Sequence, residues 1–78
     1  MPTVLRIGAA RFFFYSNELN EPPHVHVEQA SSVAKFWLDP VSLAASRGFR
    51  RHELRHLERV IGERRHLFLQ AWREYFET

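Results

Sequence analysis

Residues 24–38 read HVHVEQASSVAKFWL. Over His24–Gln29 apolar and polar side chains alternate, and after a break at Ala30–Ser32 the alternation returns over Ala34–Leu38. A period of two is the mark of a strand whose two faces meet different surroundings, so the stretch predicts two antiparallel strands joined by a turn. Val25 and Val27 fall on one side of the first strand, and His24, His26 and Glu28 on the other. In the second strand Ala34, Phe36 and Leu38 oppose Lys35 and Trp37.

Upstream, Pro22 and Pro23 cannot donate ladder hydrogen bonds, which suits the entrance of a strand and closes a loop over Ser16–Pro23. Before that loop, Thr3–Ile7 and Arg11–Tyr15 flank Gly8-Ala9-Ala10 and read as a hairpin. Downstream, Asp39-Pro40 interrupts the pattern, and Val41, Leu43 and Ala45 supply a short fifth strand before Gly48. Beyond Gly48 the period becomes helical: Leu54, Leu57, Val60 and Ile61 share one face, and Phe68, Ala71, Trp72, Tyr75 and Phe76 another. Gly62 is placed to end or bend a helix. Strands followed by helices predict a single α+β domain over residues 1–78. Its antiparallel sheet has four to five strands (residues 3–45), with two C-terminal helices, or one bent helix (residues 50–77), packed on one face.

A chain of 78 residues buries only about 60% of its unfolded surface, which makes association with another chain attractive. With 45% apolar residues it is too hydrophobic for a disordered segment. The absence of cysteine excludes disulfides and thiolate metal sites. The first ten residues carry Arg6 and lack a long apolar core, and no run approaches the roughly 20 apolar residues of a membrane span. A cytoplasmic location is therefore expected.

Charge is unevenly spread. Residues 1–46 hold three basic and four acidic side chains, whereas residues 47–78 hold eight and five. Seven arginines lie between Arg47 and Arg65, with His52, His56 and His66 among or beside them. The segment reads either as a footprint for phosphate or an acidic partner, with Arg51, Arg55 and Arg59 as candidates, or as a solvated helix face with i,i+4 ion pairs. His52 and His56 stand one turn apart, but the surrounding arginines disfavour a cation there.

If the purely apolar row of each strand meets the helices, the opposite face carries Arg11, Phe13, Tyr15, His24, His26, Glu28, Lys35 and Trp37. Such a mixed face serves several chemistries. His-x-His on a strand chelates an ion when Glu28 or another residue completes the set, although the motif alone is weak and assigns no metal or other cofactor. Histidines near neutral pKa serve as acid and base on a phosphodiester while arginine or lysine stabilises charge. Aromatic side chains stack on unpaired bases beside basic groups that hold phosphates. Without any reaction, the same aromatic and arginine-containing face suits a protein interface.

The segments RFFFYSNELNEPPHVHVE, AKFWLDPVSLAASRGF and LQAWREYF resemble a family of small bacterial proteins, the domain of unknown function numbered four-one-six-zero. Pro22, Pro23, His24, Val25 and His26 form the Pro-Pro-His-x-His core of that resemblance, and Trp72 stands where the family tends to have tryptophan. This chain departs from it in an unusually basic helical half. The resemblance implies a gene pair of the toxin-antitoxin kind, a complex with the small protein encoded next door and a toxin acting on RNA. The resulting expectation is a cytoplasmic component with a nucleic-acid-facing sheet and ribonuclease-like activity that needs no metal. His24, His26 and Tyr15 would be catalytic, and Arg11, Phe13, Lys35, Trp37, Arg51, Arg55 and Arg59 would bind RNA or partner. The competing expectation is a non-catalytic module whose face mediates homo- or hetero-oligomerisation, with no membrane involved.

Overall fold

Positive backbone φ at Gly8 (57°) and at Ala30 (54°) folds the chain sharply back on itself at two tight turns. The first joins strand β1 (Thr3–Ile7) to β2 (Ala10–Phe13), and the second joins β3 (His24–Gln29) to β4 (Ser32–Leu38). A cis Asp39–Pro40 bond lies in the turn to β5 (Val41–Arg47). Two helices follow, α1 (Arg51–Glu63) and α2 (Arg65–Phe76). The structure, a computed structural model, describes residues 3–76. The five strands form one antiparallel sheet in the order β1-β2-β3-β4-β5, so every neighbour in space is a neighbour in sequence.

Strand parity follows the sequence pattern. Phe12, Val25, Val27, Phe36 and Leu38 are fully buried, and Phe14 and Ala34 nearly so. They form one core with Leu57, Val60 and Ile61 of α1 and Phe68, Leu69 and Trp72 of α2. Burying one such side chain contributes about 1.5–3 kcal/mol, so the sheet-helix contact is the main source of stability. Aromatic packing ties α2 down further: Phe68 lies 5.6 Å from Phe12, and Trp72 meets Phe14 edge-on at 5.3 Å.

The structure settles the alternatives left open by the sequence. The fifth strand is present and reaches Arg47, with a register shift in its pairing to β4 where Lys35 pairs with Ala45 but Phe36 with Leu43. The helical half is two helices, separated at Arg64. Gly62 is not the break; it lies inside the last turn of α1, on the exposed side. Glu53 starts α1 by accepting a hydrogen bond from the Arg50 backbone N–H at 2.8 Å, which satisfies one of the amides left open at a helix start. Arg65 is an anchor rather than part of a free basic patch. Its guanidinium donates to the Leu38 carbonyl (2.9 Å) and to Asp39 (2.6 Å), tying the start of α2 to the end of β4.

Two glycine substitutions test this architecture with opposite signs. Gly48 has φ +95°, and an added Cβ would lie 2.6 Å from Ser32 Oγ, so Gly48→Ala is expected to destabilise by about 1–3 kcal/mol. Gly62 has open space around its Cβ position in a helix, so Gly62→Ala is expected to stabilise by about 1 kcal/mol. Urea unfolding of the two variants beside the parent chain measures both.

Candidate functional site

The loop between β2 and β3 leaves the sheet after the aromatic run and returns at Pro22-Pro23. It is held at three points. The Pro23 carbonyl accepts a hydrogen bond from the Leu38 N–H at 3.0 Å, Glu21 pairs with Lys35, and Glu18 reaches the two histidines of β3. One carboxylate oxygen, Glu18 Oε1, lies 2.8 Å from His24 Nε2 and 2.6 Å from His26 Nε2. The other ring nitrogen of His24, Nδ1, donates to the Pro22 carbonyl at 2.9 Å.

His24 and His26 share a side of β3 by parity, yet their surroundings differ. His26 is stacked on Phe13 with ring centroids 5.5 Å apart and meets Tyr15 edge-on at 4.5 Å; 14% of its side chain is exposed. His24 is completely buried. Trp37 approaches its ring at 5.6 Å from the sheet side, and Trp72 of α2 at 5.0 Å from the helical side. The expectation that both imidazoles stand on an open face is therefore corrected for His24, because at the mouth of β3 the C-terminal helix comes close enough to cover it. Phe13 is likewise buried rather than wet, beneath Arg11, whose guanidinium carbon lies 4.2 Å above the ring.

The charges on this face are largely settled within it. Arg11 pairs with Glu28 at 3.1 Å and donates to Thr3 Oγ1 at 2.9 Å. Lys35, paired with Glu21, also sits 4.7 Å over the Trp37 ring. Burial works to raise the Glu18 carboxyl, but hydrogen bonds from His24 and His26 and their charge outweigh it and hold the group below the usual carboxylate range. Burial lowers the His26 pKa, and the pull of Glu18 in the other direction is too small to restore it. An open groove of about 470 Å³ adjoins this cluster, running from Phe13, Tyr15 and His26 past Lys35 to Ala45 and Arg47 on β5.

Arg11, Phe13, Tyr15, His24, His26, Lys35 and Trp37 are gathered in one neighbourhood. Arg51, Arg55 and Arg59 are not part of it; they are exposed on α1, which packs on the other side of the sheet. Glu28, considered as a third ligand beside the histidines, is taken by Arg11. The carboxylate that does join the histidines is Glu18, which sequence reasoning missed. A loop residue has no periodicity to assign it a face, and the only signal was its position six residues before His24. Among the described residues, Glu18, His24 and His26 form the group of His, Asp or Glu able to hold a metal ion.

Removing the carboxylate leaves the buried His24 Nε2 without its partner. Glu18→Ala is expected to lower stability by about 1–3 kcal/mol, with secondary structure retained, as measured by urea unfolding followed by circular dichroism.

No curated protein and no solved structure matches the chain significantly. A family model does match, over residues 10–73, which spans β2 to α2 and includes the loop, both histidines and Trp72. The chain belongs to the family described as domain of unknown function (DUF4160).

Proposed function

We propose that the protein is a non-catalytic interaction module, one member of a bacterial pair acting in the cytoplasm, whose sheet face and groove are covered by a different small protein. One observation carries this reading: the basic side chains of the sheet face expected to hold phosphate are already neutralised in place, Arg11 by Glu28 and Lys35 by Glu21. A nucleic-acid surface gains its affinity by presenting free cations to phosphates, and here those cations would first have to leave their carboxylates. The groove is lined by two cations, Lys35 and Arg47, of which Lys35 is held by Glu21. What remains on offer is apolar and aromatic, including Tyr15, which is 38% exposed, and the half-buried or exposed Val33 and Ala45. That composition suits a protein partner. The resemblance to proteins encoded in gene pairs supports a partner other than a second copy.

A ribonuclease-like toxin is the second reading, favoured by His26 lying at the groove beside Tyr15 with a carboxylate on its Nε2, an arrangement that suits a general base. In that reading His26 and Tyr15 are the groups that reach a substrate, and His24, having no exposed surface, serves as support.

Light scattering on the purified chain, alone and mixed with the product of the neighbouring gene, separates these readings. A stable one-to-one complex is expected, and Ala45→Glu, which places a charge in the groove, is expected to weaken it at least tenfold without loss of helicity. An unchanged mass on mixing would overturn the interaction reading. Cleavage of RNA by the chain alone, lost in His26→Ala, would establish the second one in its place.

A further inference from the structure

Three polar side chains converge at the point where the loop meets β3. His24 Nδ1 lies 2.9 Å from the Pro22 carbonyl oxygen, which can only accept, so Nδ1 carries a proton. With Nδ1 committed to that carbonyl, Nε2 is the ring atom turned toward Glu18 Oε1, at 2.8 Å. His26 Nε2 converges on the same oxygen at 2.6 Å. One ligand atom from each of the three residues lies within 4.8 Å of the other two.

We propose that Glu18, His24 and His26 form a binding site for a divalent first-row transition-metal ion, with zinc the leading candidate and a fourth position left for water or a ligand group. A metal ion takes the place of the protons held between these atoms, so that two nitrogen lone pairs and a carboxylate oxygen become donors to one ion. Two imidazole nitrogens and a carboxylate oxygen suit zinc and its neighbours, whereas calcium and magnesium favour oxygen alone. The Pro22 carbonyl supplies what ligating histidines characteristically have, a fixed acceptor on the ring nitrogen away from the metal. Burial between Trp37 and Trp72 locks His24, and the stack on Phe13 steadies His26. The two rings stand at 84° with centroids 5.1 Å apart.

Geometry asks for a small adjustment. With bonds of about 2.0–2.1 Å a tetrahedral ion keeps its ligand atoms roughly 3.3 Å apart, so Glu18 Oε1 has to withdraw by about 0.5 Å from His24 Nε2 and by about 0.7 Å from His26 Nε2. Glu18 is the ligand best able to do so, since it stands on a loop while both histidines are fixed in the sheet. The His52 and His56 pair offers a contrast: both are exposed, and His56 Nδ1 lies 3.3 Å from a guanidinium nitrogen of Arg59. This inference stands apart from the interaction reading, since it rests on three ligand atoms and not on the groove.

The test uses the full chain, stripped of metal by a chelator and titrated with Co²⁺ and then Zn²⁺. One equivalent of Co²⁺ is expected to give the visible absorption of a tetrahedral site, to be displaced by Zn²⁺, and Zn²⁺ is expected to raise Tm with increasing concentration. Glu18→Gln, nearly the same shape without the charge, and His26→Ala are each expected to reduce Co²⁺ affinity at least tenfold, while His52→Ala leaves it unchanged. No one-equivalent spectrum, no rise in Tm, equal affinity in Glu18→Gln, or loss of binding in His52→Ala would each overturn the proposal. Circular dichroism checks the fold of each variant; should His26→Ala not fold, Glu18→Gln alone decides.

Discussion

The packing of one apolar row of the sheet against one helical layer is the contact from which the other features take their places. Phe12, Phe14, Val25, Val27, Phe36 and Leu38 occupy the buried parity, and α1 and α2 cover them with Leu57, Ile61, Phe68 and Trp72. Because side chains alternate along a strand, committing that row to the core fixes the opposite row as well. Phe13, His26, Lys35 and Trp37 are on the other side for that reason, whatever their own chemistry. A one-residue slip in β3 would exchange Val25 and Val27 for the histidines and abolish both the core and the site, so register and function are specified together.

Among the described residues the far side of the sheet has no second layer of secondary structure, and the chain furnishes it by other means. Arg11 lies over Phe13, Lys35 over Trp37, and Tyr15 against His26, so that polar and aromatic side chains shield each other. Glu28 and Glu21 then neutralise the two cations. The result is a surface that offers less free positive charge than its arginine and lysine suggest. Arg65 shows the same point in the helical half, where a residue counted among seven arginines is occupied with Leu38 and Asp39. Counting charges overstates their availability wherever each one already has a partner.

Most of the fold was legible because it depends on periodicity. The switch from alternation to helical spacing separates sheet from helices, and the apolar rows of β3 and β4 can be written from the sequence; β2 begins at Ala10, which reads as turn in the sequence, and ends at Phe13. Helix separation was less legible: Gly62 drew attention as a weak helix former, but the chain breaks at Arg64, where the anchored Arg65 begins the next helix. The candidate site was half legible. Parity placed His26 with Phe13, Tyr15 and Lys35, but parity is silent about depth, and only the path of α2 brings Trp72 over His24. Glu18 lay beyond reach for a different reason, since a side chain in a loop is placed by its tertiary contacts alone.

The polar cluster has one further property that comes from its position in the chain. Glu18, Pro22, His24 and His26 lie within nine consecutive residues, and the contacts among them span only two to eight positions. Loop closure over so short a distance costs little entropy compared with contacts that join the two ends of a domain. The cluster is accordingly a local one, a short loop with its own internal ties, packed beside Trp37 and Trp72. Such a unit can keep its geometry while the helical surface around it drifts in composition, which gives a physical basis for a strongly basic helical half coexisting with the Pro-Pro-His-x-His segment in this chain.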